Sequence, residues 1–318
     1  MQVLVIGGGG PIGQAAARAF AARGDSVWWT SRQQAPLPGL SDGQVQADRR
    51  QPSDILRLVR DRRIDLVVDA VAYVAADTLP LLSALDGQVG RYAMLSSSDV
   101  YRNYGLLHRL EAGDPDPGPL SERSPLRTRA FPYRGAEART ADDPSRWMDD
   151  YDKIPLETAV AQMSSDWTTL RLPMVYGPGD RHRRFRWAIA PMLAGAAKLE
   201  APRSWLAWTT TYGFLDNVGA AIAHAAAHPM SARRTFNLAD EPAMDHSAWV
   251  ARFRVATGWA GEVQPTDGDT PFARALADLD LSVPIQVSAE RLVSDLGFTP
   301  PVDSATAARL TAADEAAR

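Results

Sequence analysis

Four consecutive apolar residues, Val3-Leu-Val-Ile6, open the chain, and Gly7-Gly-Gly-Gly-Pro-Ile-Gly13 and an Ala-rich run ending at Gly24 follow. An unbroken apolar run suits a strand buried on both faces, and Ala-rich sequence favours helix, so the pattern predicts strand, tight turn, helix. The same alternation continues along the chain. Ser26 to Arg32 and Val45 to Asp48 read as short strands, and Ser53 is the expected cap of a helix with apolar residues at 55, 56, 58 and 59. Ile64 to Ala72, Arg91 to Ser96, Trp167 to Leu172 and Arg234 to Leu238 read as further strands. Helices are expected around Pro80 to Leu85 and over Asp245 to Thr257. Pro36 to Gly43 reads as a loop.

Strands alternating with helices predict an α/β fold, a Rossmann-type doubly wound parallel sheet with right-handed crossovers. The first turn is then the chemically informative element. Gly7, Gly10 and Gly13 fall at every third position, and Gly8-Gly-Gly-Pro-Ile-Gly13 also satisfies G-x-G-x-x-G. Glycines at this spacing, with Pro11 and Ile12 opening a helix, form a cradle where free amides and the helix dipole favour the pyrophosphate of a dinucleotide. No Lys-Ser/Thr pair follows, which argues against a nucleoside-triphosphate loop. At the end of the second strand, where an acidic residue would hold the adenosine ribose of NAD, stand Ser31 and Arg32. A hydroxyl and a guanidinium favour the 2′-phosphate of NADP(H), with NAD(H) possible through other acceptors. Asp48 is placed to meet the adenine edge.

The composition narrows the class of protein. Of 318 residues, 45% are hydrophobic and 23% charged, the net charge is −4, and cysteine is absent. These values suit a soluble globular protein and give no reason to expect nucleic-acid binding; thiolate zinc sites and a cysteine nucleophile are excluded. With no apolar run of membrane-spanning length and no room for a leader before the first strand, a cytoplasmic setting is expected.

Six short motifs occur in a telling order: the glycine turn, Asp69-Ala-Val-Ala72, Ser96-Ser-Ser-Asp-Val-Tyr101, Leu170-Arg-Leu-Pro-Met-Val-Tyr-Gly-Pro-Gly-Asp180, Leu215-Asp-Asn-Val218 and Leu296-Gly-Phe-Thr-Pro300. In this order the chain resembles the extended short-chain dehydrogenases/reductases, the NAD-dependent epimerase/dehydratase family. The resemblance implies a nicotinamide cofactor contacted by Ala70, Val71 and Ala72 and flanked by Pro173 and Val175. It also implies a Ser or Thr and a Tyr-x-x-x-Lys pair that move a proton while the nicotinamide moves a hydride. Ser97 takes the hydroxyl position, with Ser98 beside it, and Lys153 takes the lysine position. The lysine and the cofactor ring are expected to lower the tyrosine's pKa.

The expected tyrosine is displaced. Four residues before Lys153 stands Asp149, and the nearest tyrosine is Tyr151. Residues i and i+2 of a helix point about 200° apart, so Tyr151 faces the lysine's side only where the helix begins near residue 152 after extended backbone. Three readings follow: Tyr151 supplies the phenol; Asp149, its pKa raised by burial, transfers the proton; or the usual relay is missing and Tyr101, Tyr133 or no redox chemistry takes its place.

Residues 127–148 lengthen the segment between Ser97 and Lys153, and Phe131, Tyr133 and Trp147 within it suggest a cover over the substrate. Residues 1–172, with a return segment at about 204–238, are expected to form the dinucleotide-binding domain. Residues 173–203 and 239–318 are expected to form a smaller substrate lobe. Met174 and Thr210 stand where relatives acting on nucleotide sugars carry Asn and Arg, which points to a small, non-nucleotide substrate near Ser98, Tyr101, Tyr133 and Met174. Arg181 to Arg186 is a basic stretch that reads chiefly as a solvated face. His224 and His228 share a helical face without a third ligand, so no metal is expected. The function expected is an NAD(P)-dependent oxidoreductase or epimerase acting on a hydroxyl or carbonyl carbon. The alternatives are a cofactor-binding protein without redox turnover, serving in regulation, RNA binding or assembly, or a nucleotide-sugar epimerase/dehydratase. Family resemblance further implies a homodimer.

Overall fold

The computed structural model describes residues 1–32, 40, 43–240 and 242–318. In chain order its elements begin with β1 (Gln2–Ile6), α1 (Pro11–Ala22), β2 (Ser26–Ser31), β3 (Gln44–Gln46), α2 (Pro52–Asp61), β4 (Leu66–Asp69), α3 (Ala75–Leu85) and β5 (Arg91–Ser97). They continue with α4 (Arg102–Leu107), α5 (Ile154–Ala161), β6 (Asp166–Leu172), β7 (Met174–Tyr176), α6 (Arg186–Leu193), β8 (Lys198–Pro202), α7 (Arg203–Ala207), β9 (Thr209–Thr210) and β10 (Tyr212–Phe214). The chain closes with α8 (Leu215–Ala227), β11 (Arg234–Asn237), β12 (Met244–Asp245), α9 (His246–Thr257), β13 (Glu262–Thr266), α10 (Pro271–Ala275), α11 (Glu290–Leu296) and α12 (Ser304–Ala316). Most of the expected Pro36 to Gly43 loop lies outside the described residues.

Seven strands form one parallel sheet in the order β11-β6-β5-β4-β1-β2-β3. β1 pairs with β2 on one side and β4 on the other, so the winding reverses there. A crevice at the carboxyl ends of the strands at such a reversal is where doubly wound sheets bind ligands. The alternation of side chains along β1 explains why it is apolar throughout. Val3 and Val5 enter one core layer with Phe20 of α1 and Ile222 of α8, while Leu4 and Ile6 enter the other with Ile55 of α2 and Leu156 of α5.

Two local expectations are corrected. Ser53 lies within the first turn of α2, which starts with Pro52, and no side chain caps it; proline at the first position supplies the fixed φ instead. In the segment expected to lie wholly in the smaller lobe, Ala289, Leu292, Leu296 and Phe298 pack with Phe236 and Leu238 in the sheet's own core. An apolar stripe on α11 is buried against β11 because that edge strand would otherwise leave one face open. A separate core cluster is filled by Phe185, which caps α6, and by Ile189, Trp249, Phe253 and Ala308 from α6, α9 and α12.

Candidate active site

Parallel strands deliver their carboxyl ends to one edge, and there the expected cofactor residues meet. Gly7 follows β1 with φ +83°, and a Cβ on it would come within 2.6 Å of Val71 Cγ1, just beyond β4. A Cβ on Gly13 would collide with the Gly7 carbonyl, whereas one on Gly10 would meet nothing nearer than 3.6 Å. Gly10 and Pro11 start α1 with no capping side chain, and Ile12 and Gly13 complete its first turn. The turn is thus a bare backbone concavity at a helix N-terminus, which fits a pyrophosphate. Ser31 ends β2 with its hydroxyl leaning over this loop, 2.8 Å from where a Gly9 Cβ would stand. Arg32 beside it is exposed. Asp48, past the end of β3, is held by Arg50 at 2.6 Å, and this hydrogen bond keeps its carboxyl below the usual range.

Ala70, Val71 and Ala72 follow β4 at its carboxyl end. Under them Arg49 donates to the Val71 carbonyl and, at 2.7 Å, to Asp69, whose carboxylate also accepts from Tyr92 Oη at 2.6 Å. Pro173 follows β6, and Val175 in β7 accepts from Arg184 at 2.7 Å.

The backbone resolves the displaced tyrosine. Tyr151 is extended (φ −69°, ψ 124°), closing a short 3-10 turn over Arg146–Asp150 and making an antiparallel bridge to Val74. Lys153 is the N-cap of α5, with Pro155 in the first turn. The helix therefore starts after both residues, and the i,i+2 restriction does not apply. Lys153 Nζ donates to the Ala72 carbonyl at 2.6 Å and the Leu95 carbonyl at 2.8 Å and lies 4.6 Å from the Tyr73 ring centroid. Burial pulls its pKa down to about 8, against the opposing pull of Asp99 and Asp69. Two of its three donors are thus used by backbone carbonyls at the ends of β4 and β5.

Tyr151 is buried, and its phenol donates to Asp99 Oδ2 at 2.8 Å. Burial and the Asp99 charge push its pKa well above the usual phenol value. In the chain by itself a carboxylate partner and loss of water outweigh the lysine, whose Nζ is 5.6 Å from the ring centroid. Ser97 ends β5; its Oγ accepts from Asp99 N at 3.2 Å and also interacts with the Tyr151 phenol. Ser98 begins the next 3-10 turn and is buried.

Asp149 does not have the environment its proposed role requires. Burial acts to raise its pKa, but the backbone amide (2.8 Å) and guanidinium of Arg139, with Arg146 at 3.4 Å, outweigh it and hold the carboxyl below the usual range. Such a group is a poor acid near neutrality. Tyr101 is committed elsewhere: fully buried, it donates to Asn237 of β11 at 2.5 Å and accepts from Arg171 of β6 at 3.1 Å. Tyr133, in contrast, reaches the site and donates to Asp99 Oδ2 at 3.0 Å. Met174 is half-buried between the core cluster around Trp249 and the one around Trp208.

The 127–148 segment packs onto this group. Arg127 donates to the Asp99 carbonyl at 2.6 Å and to Asp152 at 3.0 Å, and Trp147 stacks on Tyr73 at 5.0 Å while remaining 43% exposed. Asp99, Arg127 and Tyr73 join the candidate site through these contacts, and sequence reasoning missed them. Asp99 lay in plain view inside the Ser-Ser-Ser-Asp-Val-Tyr motif, whereas the roles of Arg127 and Tyr73 depend on contacts that no periodicity predicts. Of the basic stretch, Arg183 and Arg184 are paired with Glu315 and Asp180. His224 is committed to the Leu296 carbonyl at 2.8 Å and His228 to Met230 N at 3.2 Å. Among the described residues, no group of three or more His, Cys, Asp or Glu side chains could hold a metal ion. Nor is any described helix long and apolar enough to cross a membrane.

With this geometry in hand, residues 3–125 match the model of the NAD dependent epimerase/dehydratase family. The match spans the amino-terminal strands β1 to β5 and α4. The fold of the whole chain is similar to that of the UDP-glucose 4-epimerase of Thermus thermophilus, solved in complex with NAD (20% identity, TM-score 0.66, 99% of each chain covered). It is also similar to the UDP-glucose-4-epimerase of Stenotrophomonas maltophila with bound NAD and formylated UDP-arabinopyranose (18%, TM-score 0.71, 100% of this chain and 98% of that one). A dTDP-glucose 4,6-dehydratase from Bacillus anthracis str. Ames in complex with NAD shares it too (14%, TM-score 0.69, 100% and 97%). None of the curated proteins matches the sequence.

Proposed function

We propose that this chain is an NAD(P)-dependent oxidoreductase or epimerase of the extended short-chain type, acting on a hydroxyl or carbonyl carbon of a small molecule. The observation that carries this reading is the convergence of Lys153, Tyr151 and Ser97 at the strand ends that also hold the glycine cradle. A dinucleotide fits these residues: Gly7, Gly10 and Gly13 would receive its pyrophosphate, Val71 and Ala72 would back its nicotinamide half, and Lys153 would hold the ribose. When bound, the nicotinamide supplies a hydride acceptor or donor. The protein's own contribution is positional and protonic. Ser97 orients the reacting oxygen, and Tyr151, kept protonated by its surroundings, gives a proton to a carbonyl oxygen as the carbonyl is reduced.

Cofactor preference and substrate class follow from residues further out. Ser31 and Arg32 support NADP(H) over NAD(H), because a guanidinium grips a phosphate through paired hydrogen bonds. The half-buried Met174 and the fully buried Thr210, whose hydroxyl donates to the Ile285 carbonyl at 3.3 Å, take away two polar partners of a nucleotide-sugar diphosphate and support a smaller, less polar substrate. Residues 127–148 act in this reading as the cover of the substrate site, with Trp147 as its apolar wall. The protein works as a soluble cytoplasmic homodimer. The test is hydride exchange: enzyme, NADP(H) or NAD(H) and a panel of ketones, secondary alcohols and UDP-sugars are assayed at 340 nm. Turnover of a small hydroxyl or carbonyl compound, read as a change at 340 nm or as an epimerised product by chromatography, supports the reading; cofactor binding with neither signal on any panel member contradicts it.

A further inference from the structure

The Tyr151 phenol faces a carboxylate, and that carboxylate is itself at one end of a chain of phenols. Asp99 Oδ2 accepts from Tyr151 Oη at 2.8 Å and from Tyr133 Oη at 3.0 Å, and Tyr133 Oη in turn accepts from Tyr104 Oη at 2.9 Å. Asp99 is 2% exposed, and its second oxygen, Oδ1, is buried without a hydrogen-bond partner. A buried carboxylate with an unmet acceptor gains from taking up a proton, because protonation removes the desolvated charge. The charged groups facing it are Arg127, whose guanidinium Nε is committed to the Asp99 carbonyl, and Lys153; neither offers a donor to Oδ1. Burial accordingly raises the Asp99 pKa even against Tyr151, Arg127, Lys153 and Tyr133, which all act to lower it.

A protonated phenol is competent to give a proton, but in the oxidative direction it must also lose one. We propose that Asp99 is the positioning residue that receives it: as the substrate O–H bond breaks and its proton forms a bond to Tyr151 Oη, the proton Tyr151 held passes to Asp99. The electron pair of the substrate C–H bond leaves as hydride to an oxidised nicotinamide dinucleotide, the substrate becomes a carbonyl compound, and the released proton resides on the Asp99 carboxyl. Reduction runs the same transfers backwards. Tyr133 and Tyr104 extend the path from Asp99 to the half-buried edge of α4, where the Tyr104 and His108 rings lie 4.4 Å apart. The relay rests on the proposed oxidoreductase reading for its substrate proton, while the Asp99–Tyr151 coupling is measurable without any substrate.

That coupling is tested by alkaline titration of tyrosinate absorbance at 295 nm in the wild type, Asp99→Asn, Tyr151→Phe and the double variant. Asparagine keeps the shape and an acceptor oxygen, so the fold is retained, as circular dichroism would confirm. The expected result is tyrosinate absorbance appearing at least one pH unit lower in Asp99→Asn than in the wild type, with the Tyr151 share of that shift missing from the double variant and the Tyr133 share remaining. Superimposed curves for wild type and Asp99→Asn overturn the coupling. With a turnover assay in hand, Asp99→Asn should slow oxidation about 100-fold and abolish the acid limb of the kcat/KM profile, while Asp99→Glu restores part of both. An unchanged profile in Asp99→Asn overturns the relay and leaves the oxidoreductase reading standing. Loss of turnover in Asp99→Asn with full activity in Tyr151→Phe also overturns it, because the carboxylate would then act on the substrate directly. Failure of every variant and the wild type to bind a nicotinamide cofactor, with the titration still separating them, refutes the oxidoreductase reading alone.

Discussion

Tyr151 and Lys153 are two residues apart and nonetheless converge, with Nζ 5.6 Å from the phenol ring centroid, because the chain is extended at Tyr151 and turns helical only after Lys153. The Val74 bridge and the hydrogen bond from Asp152 N to the Tyr73 carbonyl (3.2 Å) fix the extended step. Tyr151→Phe removes the phenol and keeps the ring packed against Tyr73 and Tyr133. It should lower kcat by about 100-fold or more with cofactor affinity unchanged, as read by steady-state kinetics and calorimetry. Asp149→Asn should instead lower the melting temperature, since Arg139 and Arg146 lose their partner, and leave kcat of the folded enzyme within a few-fold of wild type.

Lys153 carries a pH signature of its own. Its folded pKa of about 8 lies below the ordinary value of 10.5, so between these pH values the unfolded chain binds more protons than the folded one. Stability therefore rises with pH across that window, and the cost of burying the charge is fully present below pH 8. Relative to Lys153→Met, the wild type should gain up to about 3 kcal/mol of unfolding free energy between pH 8 and 10.5 in urea titrations. A flat difference would mean that the ammonium is not buried.

His246 makes a second, acidic signature in the smaller lobe. It is buried against Trp205, donates from Nδ1 to the Trp205 carbonyl at 3.0 Å and accepts from Tyr212 Oη at 2.9 Å, and burial lowers its pKa to about 4. Below its ordinary pKa of 6.5 the unfolded chain takes up the proton first. Stability should fall as pH drops from 6.5 to 4, by up to about 3 kcal/mol, and His246→Gln should lose that part of the slope.

How much of this was legible in the sequence depends on the range of the interaction. The sheet and the glycine turn were readable because Val3-Leu-Val-Ile6 and Gly7 to Gly13 act locally, through burial on two faces and backbone φ. The start of α5 was readable as a possibility from Pro155, but its decision rests on a bridge between Val74 and Tyr151, 77 positions apart in the chain. Tyr101 was misplaced because its Asn237 and Arg171 partners come from distant strands, and Asp149 because the paired arginines sit in an irregular segment with no period. The return of α11 to the sheet core was hidden for the same reason: an apolar stripe does not say which neighbour it covers.

The glycine turn separates a cradle from an ordinary turn. Gly13→Ala pushes a methyl against the Gly7 carbonyl and should abolish dinucleotide binding, while Gly10→Ala has room for its methyl and should retain the fold and a measurable affinity. Calorimetric titration of both variants checks the contrast.

The most direct measurement is titration of the wild-type protein with NADP+ and NAD+ by calorimetry, paired with thermal unfolding in the presence of each. The account predicts one saturable site per chain, tighter for NADP+, with stabilisation of about 2.7 kcal/mol at a ligand concentration 100 times Kd, and no binding in Gly13→Ala. Absence of both heat and thermal protection with either coenzyme would contradict it.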